Sequence, residues 1–340
     1  MILPETHFQA LAEKALKEQL LTREECQTVL DCPDQRMLEL LDATYKVRLH
    51  FCGKRVHLHM LINAKSGICP EDCHYCSQSK ISTAQIERYP LVSLQKLLEG
   101  AQQAKAAHCL RYCIAISTRG ATNREIDFIA HAVRRIKEEV EIAVCCTVGI
   151  ITEEKARRLY EAGVEQLNHN LNTSERYYPE ICSTHTYQDR VDTLQAARRA
   201  GLQLCSGAIF GQGESQDDII DISLALRELA PQSIPVNFLL AIPGTPFAEK
   251  EALTPYDCLR ILCLMRLVNP HQEIRVSAGR EAHIRSLQPL ALFAANSVFV
   301  SGYLTTEGQD YKDTWQMIQD LGFDIQKSHE ESKHDAVAPH

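Results

Sequence analysis

The sequence predicts an α/β protein, a TIM-type (β/α)8 barrel with an N-terminal helical extension. Three observations lead there. Between about residues 56 and 300, short apolar runs of strand length alternate eight times with longer amphipathic stretches. That span is roughly 250 residues, the usual size of one such barrel. Three closely spaced cysteines, Cys69, Cys73 and Cys76, directly follow the first strand candidate. In a barrel this puts them at the C-terminal ends of the strands, where such folds carry their sites.

Residues 1–20 mix Glu5, His7, Glu13, Lys14 and Lys17 among apolar residues, the pattern of an amphipathic helix and not of a signal peptide. The extension is expected over 1–52, the barrel over 53–325 and a polar, disordered tail over 326–340. Strands are expected at 58–63, 110–116, 142–148, 164–169, 202–209, 234–240, 273–278 and 296–300. Helices are expected between them at 93–107, 123–139, 152–162, 187–200, 215–229, 255–268 and 280–294, with a last one at 311–321. The pairs Ala162-Gly163 and Ala200-Gly201 read as helix stops before the next strand.

The chain has 340 residues and a net charge of −8 with no basic block, which argues against a nucleic-acid partner. Its apolar runs fall well short of the ~20 residues of a membrane span. With no export signal, its fourteen cysteines read as reduced thiols and metal ligands in the cytoplasm.

The spacing C-x3-C-x2-C from Cys69 to Cys76, with Tyr75 just before the third thiol, suits a redox cluster. Three thiolates on one short loop hold three irons of a four-iron cluster and leave the fourth open to a small chelating ligand. The alternative is a structural zinc loop. Zinc usually takes four ligands, and no second cysteine pair follows at a useful distance.

Strand alternation sorts the other residues. Arg111 and Cys113 share one face, as do Cys145 and Thr147, Cys205 and Gly207, Ser233, Pro235 and Asn237, and Glu273, Arg275 and Ser277. The alternate positions are mostly apolar and suit the helix layer. The polar and sulfur-bearing set then lines the barrel and suggests a ligand or metal cavity, because buried charges need partners. Cys113, Cys145 and Cys205 are directed into one cavity and offer three thiolates to a second cluster. Cys26, Cys32, Cys52, Cys109, Cys146, Cys182, Cys258 and Cys263 read as small buried hydrophobes. On chemistry alone Arg275 is a charge-balancing residue, with Glu281 as a candidate salt-bridge partner, because arginine almost never loses its proton.

Seven stretches carry a resemblance: 67–79 around the cysteine triad, Asn168-His169-Asn170-Leu171-Asn172-Thr173-Ser174, Thr184-His185-Thr186-Tyr187, Cys205-Ser206-Gly207, Ile234-Pro235-Val236-Asn237-Phe238, Gly244-Thr245-Pro246 and Arg275-Val276-Ser277-Ala278-Gly279-Arg280-Glu281. Together they resemble the biotin synthase family of the radical S-adenosylmethionine superfamily over nearly the whole barrel. The triad belongs to the whole superfamily; the other stretches in combination are specific to biotin synthases.

The resemblance implies that Cys69, Cys73 and Cys76 hold a 4Fe-4S cluster whose open iron chelates S-adenosylmethionine. It implies that Cys113, Cys145, Cys205 and Arg275 ligate an auxiliary 2Fe-2S cluster, which overrides the salt-bridge reading of Arg275. Tyr75, Asn170, Asn172 and Ile209 would contact S-adenosylmethionine, the last within a glycine-rich stretch from Gly207 to Glu214. Asn170 and Asn237 would contact dethiobiotin. Many relatives carry Asp where this chain has Asn172, so that contact lacks a charge. The implied reaction inserts sulfur between two unactivated carbons of dethiobiotin, chemistry that side chains cannot perform and a cofactor must supply. An electron donor such as a flavodoxin or ferredoxin system, iron–sulfur assembly proteins and a second copy of the chain in a homodimer are the implied partners. Rival readings are another radical enzyme, such as a mutase or a hydrogenase-cofactor maturase, and a non-catalytic iron–sulfur carrier or sensor. The four auxiliary ligands speak against the first and the polar barrel lining against the second.

Overall fold

The computed structural model describes residues 7–67 and 69–326. Three helices come first: α1 (His7–Leu16), α2 (Arg23–Leu30) and α3 (Met37–Cys52). The strands are β1 (Arg55–Lys65), β2 (Arg111–Ile116), β3 (Ala143–Thr147), β4 (Gln166–Asn168), β5 (Gln203–Cys205), β6 (Ala208–Phe210), β7 (Ser233–Phe238), β8 (Glu273–Val276), β9 (Ser297–Phe299) and β10 (Asp324–Ile325). Between them run α4 (Leu94–Ala106), α5 (Asn123–Glu139), α6 (Glu153–Glu161), α7 (Tyr187–Arg199), α8 (Gln216–Leu229), α9 (Pro255–Val268), α10 (Arg280–Ile284), α11 (Gln288–Ala291) and α12 (Tyr311–Asp320). The tail expected to be disordered lies, beyond Gln326, outside the described residues.

All the strand pairs are parallel, and β9 pairs with β1, so the sheet closes into a barrel. β5 and β6 together fill the fifth of eight positions, and β10 adds to the start of β1 outside the ring. The helices begin where capping chemistry sets them. Thr122 with Glu125, Thr186 with Asp189, Ser215 with Asp218 and Thr254 with Asp257 each form a capping box. Gly163 and Gly201 end α6 and α7 in the left-handed region, as their Ala-Gly pairs anticipate.

The extension packs α1 and α2 against α3, α8 and α9 at the end of the barrel where the strands begin. Two arginines with no exposed surface, one in the extension and one in the barrel, tie together the backbone at this end. Arg48 of α3 donates to the carbonyls of Gly53, Arg55 and Ala295, and Arg266 of α9 to those of Ala294, Pro270 and Gln272 and to Asn296 Oδ1. Their donors thus meet acceptors that would otherwise lie orphaned in the core.

Two expected elements are interrupted. The helix expected over 280–294 breaks into α10, a short 3-10 turn and α11, because Arg285 takes φ 55° and Pro289 begins the next turn. The strand expected over 202–209 breaks at Ser206 and Gly207. Opposite the break sits Pro235, which has no N–H for the ladder. Gly207 N donates instead to Asn170 Oδ1 at 3.1 Å, and Gly207 O accepts from Asn172 N at 3.0 Å. A Cβ on Gly207 would lie 1.9 Å from the Pro235 carbonyl oxygen, so the two strands can meet only if residue 207 has no side chain. Gly207→Ala is expected to destabilise the fold by about 1–3 kcal/mol, read as a lower urea midpoint.

Candidate active site

The strand ends open into a cavity of about 270 Å³ lined by Cys69, Cys73, Tyr75 and Cys76 on one side and by Asn168, Asn170, Asn172, Ile209 and Asn237 on another. Below it, toward the barrel centre, a smaller cavity of about 40 Å³ is lined by Cys113, Cys145, Arg275 and Phe299. Ala115, Thr147, Asn168, Tyr303 and Leu304 line both. The fold therefore brings every site residue expected from the sequence to the wall of one of these cavities, except Cys205, which is fully buried against Cys113 and Cys145.

The cysteine loop has no regular structure of its own and is held by polar contacts. Asp72 accepts from the backbone N–H of Ser183 at 3.0 Å and of Thr184 at 3.2 Å, and also from the Ser183 hydroxyl. Glu71 accepts from Thr184 Oγ1 at 2.5 Å, pairs with the buried His185 and lies 3.3 Å from Arg119 Nη1. The loop's trailing segment passes so close to Gly244 that a Cβ there would lie 2.6 Å from Ala84 N. This close approach, with φ at 89°, explains the glycine of Gly244-Thr245-Pro246. Burial raises the Cys76 thiol to about 11 and also raises Cys69, so a metal must displace their protons.

The inner thiols come from β2, β3 and β5, with β4 between the last two. Cys113 and Cys145 sit in register on β2 and β3, and Cys205 pairs with Asn168 across β4 and β5. Burial opposes ionisation of Cys205, but donation from Cys145, the Arg275 charge and Asn168 Nδ2 at 3.2 Å bring it down to about 6. Arg275 lies with Nη1 at 3.6 Å from Cys205 Sγ, so guanidinium and thiols share one site. Three adjacent thiols and a fixed cation, in a space with few other polar groups, fit a small iron–sulfur cluster.

The asparagines divide their work. Asn170 Oδ1 is occupied by Gly207 N and Asn168 Nδ2, which leaves its amide N–H groups for the cavity. Asn172 adopts φ 73° and donates to the Tyr75 hydroxyl at 2.6 Å, tying the cluster loop to β4's end. Asn237 donates to Ala208 O at 3.0 Å and accepts from Ala278 N at 3.2 Å. One N–H and one lone pair remain to it for a ligand. In the glycine-rich stretch, Ile209 faces the cavity while Glu214 folds back to accept from Gly211 N and Gln212 N, both at 2.7 Å.

Sequence reasoning misses or misassigns several residues. Arg275 pairs with Glu273 and not with Glu281, whose partner is Arg280 at 2.8 Å. Residues two apart on a strand share a face, whereas Glu281 lies beyond the strand end in α10. Cys182 is buried, as expected, but is not an apolar filler: its Sγ lies 3.8 Å from Cys73 Sγ and 3.2 Å from His185 Nδ1. Arg190, also buried, donates to the Asn170 carbonyl at 2.8 Å and contacts Tyr178 and His185. The motif Thr184-His185-Thr186-Tyr187 marks this region in the sequence, but neither residue has a local signal of its own. Cys146 behaves as expected, buried among apolar side chains on the helix-facing side.

Residues 64–226 match the Radical SAM superfamily and residues 235–324 the Biotin and Thiamin Synthesis associated domain. The biotin synthase of Bacillus cytotoxicus is 48% identical over 94% of this chain and 96% of its own length, and that of Bacillus anthracis matches to the same degree. The crystal structure of methylornithine synthase superposes with a TM-score of 0.82 at 20% identity, covering 94% of this chain and 98% of that one. The FeFe-hydrogenase maturase HydG from Carboxydothermus hydrogenoformans gives 0.80 at 17%, over 95% of this chain and 80% of that one. These two structures share the fold, while the identity to the Bacillus proteins reaches further. The protein belongs to the biotin synthase family of radical S-adenosylmethionine enzymes.

Proposed function

We propose that this chain forms biotin by inserting sulfur into dethiobiotin. The observation that carries the reading is the stacking of two thiol sites along one barrel axis, with a ligand-sized cavity whose lining they share. Cys69, Cys73 and Cys76 would hold a 4Fe-4S cluster, and Cys113, Cys145, Cys205 and Arg275 a 2Fe-2S cluster. When bound, these groups supply the one-electron reduction of S-adenosylmethionine and the sulfur atom, chemistry that no side chain offers.

The chain's own part is to bind, orient and exclude water. Arg119 and Arg190 are the guanidinium groups on the upper cavity wall and Glu71 its carboxylate, among the described residues. That mixture suits the carboxylate and ammonium of a zwitterionic cofactor. The N–H groups of Asn170 and the spare N–H and lone pair of Asn237 suit a cyclic urea, which both donates and accepts. Ile116, Ile150, Ile209, Leu239 and Ile242 supply apolar wall around them. A carrier of electrons needs no such cavity. The same reading carries a flavodoxin- or ferredoxin-type donor, iron–sulfur assembly proteins, a homodimer and a cytoplasmic setting that keeps thiols reduced. No helix among the described residues is long and apolar enough to cross a membrane.

Incubation with S-adenosylmethionine, dethiobiotin and a reductant should yield biotin and 5′-deoxyadenosine from protein reconstituted with about six irons per chain. Cys69→Ala, Cys73→Ala and Cys76→Ala should each abolish 5′-deoxyadenosine, measured by chromatography; normal cleavage by any of them refutes its ligand role.

Cys113→Ala, Cys145→Ala and Cys205→Ala should lose biotin while still cleaving S-adenosylmethionine. Cys146→Ala should keep both activities and lose only about 1 kcal/mol of stability, as a small buried side chain does. An essential Cys146 beside a dispensable Cys145 would reverse the reading of β3.

A further inference from the structure

Glu273 opens β8 two residues before Arg275, so both side chains enter the barrel on the same face. Its Oε1 accepts from Ser233 Oγ at 2.8 Å and from Arg275 Nη2, and His59 Nε2 lies 3.1 Å from it. Its Oε2 lies 2.8 Å from His57 Nδ1. The same arginine donates through Nη2 to Ser233 Oγ at 2.7 Å and through Nε to Ser297 Oγ at 3.2 Å. The Phe299 ring lies 5.1 Å from its guanidinium carbon. Two of its three nitrogens therefore end on oxygen acceptors, and Nη1 alone turns to sulfur.

We infer that Glu273 is the positioning residue of the inner cluster site, which pins Arg275 so that Nη1 alone faces the iron–sulfur group and which supplies the anion that balances its charge. The inference rests on the proposed role of Cys113, Cys145, Cys205 and Arg275. A guanidinium is planar and rigid, so fixing Nε and Nη2 fixes Nη1. The serines alone leave Nη2 a weak neutral acceptor; the carboxylate adds a charge-assisted one. The neighbouring carboxylate also makes it harder to add an electron to a cluster beside it.

The test uses the reconstituted holoenzyme, with Glu273→Gln, Glu273→Ala and Cys113→Ala compared with the unaltered chain by visible absorption, Mössbauer spectroscopy and redox titration. In Glu273→Gln the amide oxygen still accepts from Arg275 and Ser233, so the auxiliary-cluster spectra should keep their shape while the midpoint potential moves to more positive values. In Glu273→Ala the arginine loses its anchor, and the auxiliary signals should broaden into more than one species at equal iron content. Cys113→Ala should lose the auxiliary signals altogether. Auxiliary spectra and potentials in both Glu273 variants identical to the unaltered chain, with only a lower melting temperature, would overturn the inference and leave the site intact. An unchanged potential in Glu273→Gln is enough to overturn it should Glu273→Ala not fold. Auxiliary signals that persist in full in Cys113→Ala would instead bring down the ligand reading, and the inference with it.

Discussion

Cys145 and Cys146 are neighbours in sequence with separate surroundings, because successive residues of a strand point to opposite sides. Cys145 meets Cys113 and Cys205 inside the barrel, and Cys146 joins the aliphatic layer under the helices. The same two-residue period puts Arg275 and Glu273 inside and Ile274 and Val276 outside. The inner thiol site depends on this sorting. A slip of one residue in β2 or β3 would exchange the lining of the barrel for its packing face.

A barrel lined this way gives up part of the apolar filling that usually stabilises its centre, and its charges must be matched in place. Against its burial, Glu273 is held well below the usual carboxylate range by Arg275 and His59. Burial and the nearby Arg275 push His59 down to about 3, so His59 itself adds no positive charge to the site. At this same end, where the strands begin, Arg48 and Arg266 use backbone carbonyls as partners and draw on no acidic side chain.

The barrel and the six proposed cysteine ligands are legible because they rest on local patterns: period 2 in the strands, capping residues before the helices, and the spacing of three cysteines; Arg275 as a ligand comes from the family resemblance alone. What escaped the sequence depends on contacts between distant segments. The break at Gly207 follows from Pro235, on another strand. The sequence offers Glu281 to Arg275, but β8 ends at Val276 before Glu281 is reached, and Glu273 on the same strand face is the partner. Cys182 reads as filler in the sequence because its environment is built by Asp72 and Cys73, more than a hundred residues away. Asn168 lay within a recognised motif, yet its contact with Cys205 appears only when β4 and β5 pair.

The segment after β9 returns over the mouth of the barrel, where Thr305 meets Ser77 of the cysteine loop at 2.8 Å. Its Tyr303 and Leu304 line the upper cavity and the inner one alike, together with Ala115, Thr147 and Asn168. The inner thiols and the upper chamber therefore adjoin through a common wall. A replacement sulfur atom that reached the inner site through the upper chamber would meet any substrate held there, which would set repair and turnover in competition for one space.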